Sequence, residues 1–170
     1  MNWAHIHLMI NHFPVIGMIF TVLLLLYALM KKSEELTKAA LGAFVLIALM
    51  TIPVYLTGEA AEDTVKKLPG VTETLIGRHE EAASVALTLM MVAGISSLAV
   101  LLLFRSRPLP KWFMIVILVL AFATSSVMGL TANLGGLIRH TEIRKEGVPA
   151  QPFLHGKKAE DHERRDRKEN

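Results

Sequence analysis

The seven histidines of this chain are His5, His7, His12, His79, His140, His155 and His162, and the first three fall in the opening stretch MNWAHIHLMINHFPVIGMIF. A neutral imidazole offers one nitrogen lone pair and is a good ligand for iron, zinc or copper. There is no cysteine, which excludes disulfides, iron–sulfur clusters, thiolate metal sites and haem attached through Cys-x-x-Cys-His. The remaining candidate chemistry is that of imidazoles supported by carboxylates and arginines. Whether the histidines act together depends on the elements that carry them.

Those elements are apolar. Of 170 residues 52% are hydrophobic and 19% charged, the mean hydropathy is +0.45, and the charges fall in a few short stretches. A soluble domain spreads its apolar residues at periods of 2 or 3.6; here they form blocks long enough to cross about 30 Å of hydrocarbon at roughly 20 residues each. Four blocks are expected as transmembrane helices, at about 8–30, 39–56, 82–104 and 112–138, so the fold class is all-α, a four-helix transmembrane bundle over residues 1–140. Residues 141–170 are polar, and their end, GKKAEDHERRDRKEN, reads as a charged, flexible tail. The first basic residue is Lys31, so the first helix is expected to be retained rather than cleaved as a signal peptide.

Topology then brings the histidines to one face. The start of helix one, the end of helix two, the start of helix three and the end of helix four share one side of the membrane, which collects His5, His7, His12, His79 and His140. Helix-end histidines also sit at headgroup level with nothing bound, but His79 and His140 each follow an arginine, Arg78 and Arg139. Two such pairs at one depth point to an anionic ligand beside a metal. In helix four, Gly129, Gly136 and His140 share a helical face with Ala132 or Asn133 between, an open slot against which a flat macrocycle could lie; such stripes also serve close helix packing. Thr124, Ser125, Ser126, Thr131 and Asn133 are costly against lipid, so this face is expected to point into the bundle. In helix one, Pro14 forces a start or a kink near Phe13, at His12. His7 and His12 stand about 140° apart around an ideal helix and do not form a local metal-binding pair.

The combination of His7, His12, Phe13 and Pro14 in H-x-x-x-x-H-F-P, Thr57-Gly58-Glu59 ending helix two, His79 starting helix three and Gly135-Gly136-x-x-x-His140 closing helix four resembles the bacterial membrane family catalogued as domain of unknown function 2231. The likeness spans about residues 5 to 140. Members usually carry a proline after the first histidine, where this chain has Leu8, and the loop after helix two is long. Some members are joined to Rieske iron–sulfur domains, which implies redox chemistry. His5 lies outside the pattern.

The leading expectation is a membrane-anchored b-type cytochrome that passes electrons between the quinone pool and an outside partner, a redox protein or larger membrane complex. His7, His12, His79 and His140 are the metal ligands for one or two haems b, and Arg78 and Arg139 pair with the propionates beside the slot of Gly129 and Gly136. Alternatives are a zinc or copper site made by the same imidazoles, and a cofactor-free anchor or assembly subunit. Met90, Met91, Met114 and Met128 lie in the apolar blocks and read as core. The loop GEAAEDTVKKLPGVTETLIGRHEE is expected to break at Leu68-Pro69-Gly70 into two amphipathic helices lying over the bundle as a lid. Its Glu59, at the level of the histidines, is the candidate catalytic carboxylate, a proton relay for a bound quinol. Gly94 with Ser96 or Ser97 offers a contact for association with another subunit. Basic residues near the helix ends divide evenly between the two sides. Lys31 and Lys32 directly after helix one favour a multi-pass protein of the bacterial inner membrane with both termini and the histidines on the periplasmic face.

Overall fold

The computed structural model describes residues 2–140; the expected charged tail lies outside them. The described chain is helical throughout its elements: α1 Trp3–Ile10, α2 His12–Lys31, α3 Glu34–Val65, α4 Glu73–Leu103 and α5 Lys111–Arg139. Four spans are long and apolar enough to cross a membrane, with α1 and α2 counting as one. The chain is a four-helix bundle of a multi-pass membrane protein.

The break between α1 and α2 falls at Asn11, a turn of helical backbone. Its cause is Pro14, which has no N–H for the Ile10 carbonyl and whose ring presses on it. The Asn2 side chain caps α1 by accepting from the His5 N–H at 2.9 Å. At the far end α2 closes with Lys32 in the left-handed region, φ 52°. There the Lys32 N–H donates to Leu29 O at 3.2 Å and the Ser33 N–H to Ala28 O at 3.0 Å, the paired bonds of a Schellman turn. Ser33 then caps α3, its hydroxyl accepting from the Leu36 N–H at 3.3 Å.

Both helices beside the second loop run further than their apolar blocks. α3 continues to Val65 and α4 begins at Glu73, so the polar segments flanking Leu68-Pro69-Gly70 are helical, but they extend α3 and α4 beyond the bundle instead of lying across it as a lid. Two local features explain this. Glu62 pairs with Lys66 one turn on at 2.6 Å, and Thr72 caps α4 by accepting from the Leu75 N–H at 3.2 Å. The connection is short, with Gly70 at φ 68° and Val71 buried.

In the bundle α2 packs on α3, α3 on α4, α4 on α5, and α5 back on α2. Phe44, Met18, Leu25, Leu41, Met90 and Ile117 are wholly buried, and Met114 and Met128 join this core. The outer surface is equally apolar: Phe20 is 67% exposed and Val119 65%, as lipid-facing positions require. α3 and α4 lie close together at Gly94, where an added Cβ would collide with the Ala48 methyl. Gly94 and Ser97 are both buried. The small-residue stripe expected to meet another subunit is therefore consumed inside the chain.

The two hairpins repeat one another. The buried positions Pro14, Met18, Thr21, Val22, Leu25 and Ala28 of α2 recur in α4 as Ala86, Met90, Ala93, Gly94, Ser97 and Val100, at one constant offset, and the same offset carries His7 to His79. Every buried residue of α5, Met114, Ile117, Ala121, Thr124, Met128 and Leu134, falls on a buried residue of α3, namely Thr37, Ala40, Phe44, Ile47, Thr51 and Thr57. That second offset carries Gly58 to Gly135. Both hairpins start at the same end, so they are parallel repeats.

Gly94→Ala forces α3 and α4 apart and is expected to cost on the order of 1–3 kcal/mol. Gly42→Ala and Gly129→Ala, where nothing lies within 4 Å of an added Cβ, should keep or raise the thermal midpoint, because alanine is the better helix former. Thermal unfolding of the three purified variants checks both outcomes.

Candidate functional site

His7 stands on α1 against the second half of α3. Its Nδ1 lies 3.0 Å from the Val54 carbonyl oxygen and 3.3 Å from Thr57 Oγ1. The Thr57 hydroxyl itself donates to Val54 O at 2.9 Å, so towards the imidazole Oγ1 can only accept. Both partners are thus acceptors, and Nδ1 carries the proton. The ring fits because residue 58 is glycine: a Cβ there would stand 3.1 Å from His7 Cε1.

His79 repeats this arrangement on the second hairpin. Its Nδ1 lies 3.0 Å from the Thr131 carbonyl oxygen, and a Cβ on Gly135 would stand 3.2 Å from His79 Cε1. In each hairpin the first helix presents a histidine, and the second supplies a carbonyl and, one turn further on, a glycine. Both imidazoles are half-buried.

The bond to a carbonyl has a chemical consequence. With the proton held on Nδ1, the neutral ring keeps its lone pair on Nε2, and metal-binding histidines are commonly oriented in this way, one nitrogen donating to a carbonyl and the other facing the metal. Thr57 and the backbone of α3 and α5 act as the orienting groups.

The other expected residues are placed differently. His12 is exposed, on the far side of the Asn11 break from His7. His140 is the C-cap of α5, its backbone N–H donating to Gly136 O at 2.8 Å, and it is exposed together with Arg139 and Arg78. Glu59 is exposed at the same end. Beside it α3 and α4 form a polar groove lined by Glu62, Lys66, Glu73, Ile76, Gly77 and Glu80. The hydrogen bond that the Lys66 ammonium donates to the Glu62 carboxylate holds its pKa above the usual lysine range. Among the described residues no three His, Asp or Glu side chains converge as a small metal ion requires.

The glycine face of α5 does not point inward as expected. Gly129, Ala132 and Asn133 are exposed and Gly136 is half-buried, while Thr124, Met128 and Leu134 face the core. The polar side chains of α5 do not force this face inward, for a local reason. Thr124, Ser125, Ser126 and Thr131 each donate to the carbonyl one turn back, at 2.7–2.9 Å, and a hydroxyl satisfied by its own helix can face lipid. The glycine that meets a histidine is Gly135, one residue from the expected Gly136.

No family model, curated protein or solved structure matches the chain. The site therefore rests on its own geometry. Val54, Gly58, Thr131 and Gly135 acquire roles that sequence reasoning did not assign; Gly58 and Gly135 were in view, but only a shared offset from two histidines could have singled them out.

Nitrogen-15 NMR of protein labelled at histidine is expected to show the Nδ1–H tautomer for His7 and His79, against the Nε2–H form usual for an imidazole in water. Both signals should vanish in the matching His→Ala variant. Gly58→Ala and Gly135→Ala should each disturb the signal of the imidazole they touch and leave the other unchanged.

Proposed function

We propose that the chain is a membrane-anchored b-type cytochrome, passing electrons between the quinone pool and a redox protein or larger complex outside the bacterial inner membrane. The observation that carries this reading is the pair of half-buried imidazoles whose Nδ1–H groups are tied to backbone carbonyls, which leaves each Nε2 lone pair for a metal. His7, His12, His79 and His140 are the candidate ligands, and imidazole is a normal axial ligand of haem iron. Arg78 and Arg139, exposed at the same end, are suited to charge-assisted bonds with propionates. Haem b when bound supplies a one-electron couple.

Oxidation of a quinol to a quinone releases two electrons and two protons; through a one-electron couple it would run as two successive one-electron steps, each electron passing on to the outside partner before the next, and each step needs a proton acceptor nearby. Glu59 is placed for that role: an exposed carboxylate one residue beyond Gly58, against which His7 rests. The histidine end is assigned to the periplasmic side because Lys31 and Lys32 follow the first span. A zinc or copper centre has less support, since such ions take three or four converging protein ligands and no such group occurs among the described residues.

Absorption spectroscopy of the purified chain is the test. A Soret band that moves on dithionite reduction, with sharp α and β bands, is expected; a colourless protein leaves a cofactor-free anchor in its place. Glu59→Gln should slow quinol oxidation by about 10²-fold or more, the usual scale of a general base, with the spectrum intact, and unchanged turnover removes Glu59 from the mechanism. Arg78→Ala and Arg139→Ala should retain the ligation and shift the reduction potential, since each removes positive charge near the propionates; potentiometric titration reads that shift.

A further inference from the structure

We infer that His7 and His79 form a single bis-imidazole pair, each hairpin presenting one Nε2 to the same metal centre, with His12 and His140 outside it. The identity of the ligand rests on the haem reading above; the pairing rests on the internal repeat.

His7 and His79 occupy the same position in the two hairpins, at the offset that matches the buried faces of α2 and α4. Their seats share two features. Each Nδ1 meets a carbonyl at 3.0 Å, and each ring lies on a glycine one turn beyond that carbonyl. The repeat thus sets one imidazole on each hairpin at the same position in the pattern, with its Nδ1 turned to a helix carbonyl. A haem held by two histidines would take one Nε2 from each hairpin.

His12 and His140 break the pattern. At the same offsets the repeat places Ser84 where His12 would recur and Asp63 where His140 would recur. Both histidines are exposed. A second haem would have to draw two ligands from these unrelated positions, so the repeat assigns one haem per chain.

The test uses the full chain in detergent, with haem measured as the pyridine haemochrome against protein, and electron paramagnetic resonance and absorption for spin state. The expected result is one haem per chain, six-coordinate and low-spin. His7→Ala and His79→Ala should each convert it to high-spin or lose it, added imidazole should restore the low-spin signal in both, and His12→Ala and His140→Ala should leave spectrum and stoichiometry unchanged. If an alanine variant does not survive purification, His7→Met and His79→Met carry the same test: a thioether in place of one imidazole shifts the α band, and an unshifted band overturns the pairing. Two haems per chain, or loss of the low-spin form in His12→Ala or His140→Ala, overturns the pairing and leaves the cytochrome reading standing. Absence of haem from the wild-type chain overturns both.

Discussion

In hydrocarbon a polar group finds partners only within the protein, and the polar groups of this bundle follow from that constraint. Threonine and serine meet it locally. Thr51, Thr124, Ser125, Ser126 and Thr131 return their hydrogens to the carbonyl one turn back, a bond that needs no neighbouring helix. Imidazole cannot reach its own helix backbone in this way, so His7 and His79 cross to the next helix and share a carbonyl already bonded within that helix. That crossing does three things at once. It joins the helices of a hairpin, fixes the tautomer, and directs Nε2 away from the backbone. It also demands a glycine, because a flat ring bonded to a helix carbonyl lies against the residue one turn on.

The crossing bonds depend on close helix packing. Between lipid-solvated helices there is little hydrophobic driving force, and association relies on small residues that let backbones approach. Gly94 on the Ala48 methyl is one such approach, and Ala40, Ala86, Ala93 and Ala121 line the same interior. The larger side chains Phe44, Met18 and Met90 fill the spaces left, with methionine suited to irregular gaps. Ser97 departs from this: its buried Oγ has no partner among the described residues, and its counterpart in the first hairpin is Leu25. The structure offers no physical account of it.

The spans and the gathering of histidines at one end were legible from composition and topology, because block length and helix direction depend on nothing beyond the chain. The break ahead of Pro14 was legible for the same reason. What failed were statements about facing. Hydroxyls were weighed as costs against lipid, whereas each had a local acceptor, and so the Gly129 face was expected inside. The segments around Leu68-Pro69-Gly70 were expected as a lid because their polarity excludes them from the bilayer; polarity does not stop a helix from continuing past it, and Glu62 with Lys66 holds the last turn of α3. The internal repeat escaped notice because its halves share burial rather than residue type: Pro14 answers to Ala86, Leu25 to Ser97 and Thr51 to Met128. Positions that match in depth and differ in chemistry become visible only once burial is known.

The same divergence shows where the two hairpins stop being equivalent. The imidazoles and their glycines are kept in both, but the groups next to them are not. Arg78, beside His79, stands where the first hairpin has Ile6, and Arg139 stands where it has Glu62. Glu59, following Gly58, answers to Gly136, and the Thr57 hydroxyl that shares the His7 proton answers to Leu134. The first hairpin thus gives its histidine an extra hydrogen-bond acceptor, while carboxylates stand at this end of both hairpins, Glu59 and Glu62 on the first and Glu80 beside His79 on the second. The repeat keeps the seat of each imidazole and lets its hydrogen bonding diverge: Thr57 adds a second acceptor at His7, where the apolar Leu134 stands in the second hairpin.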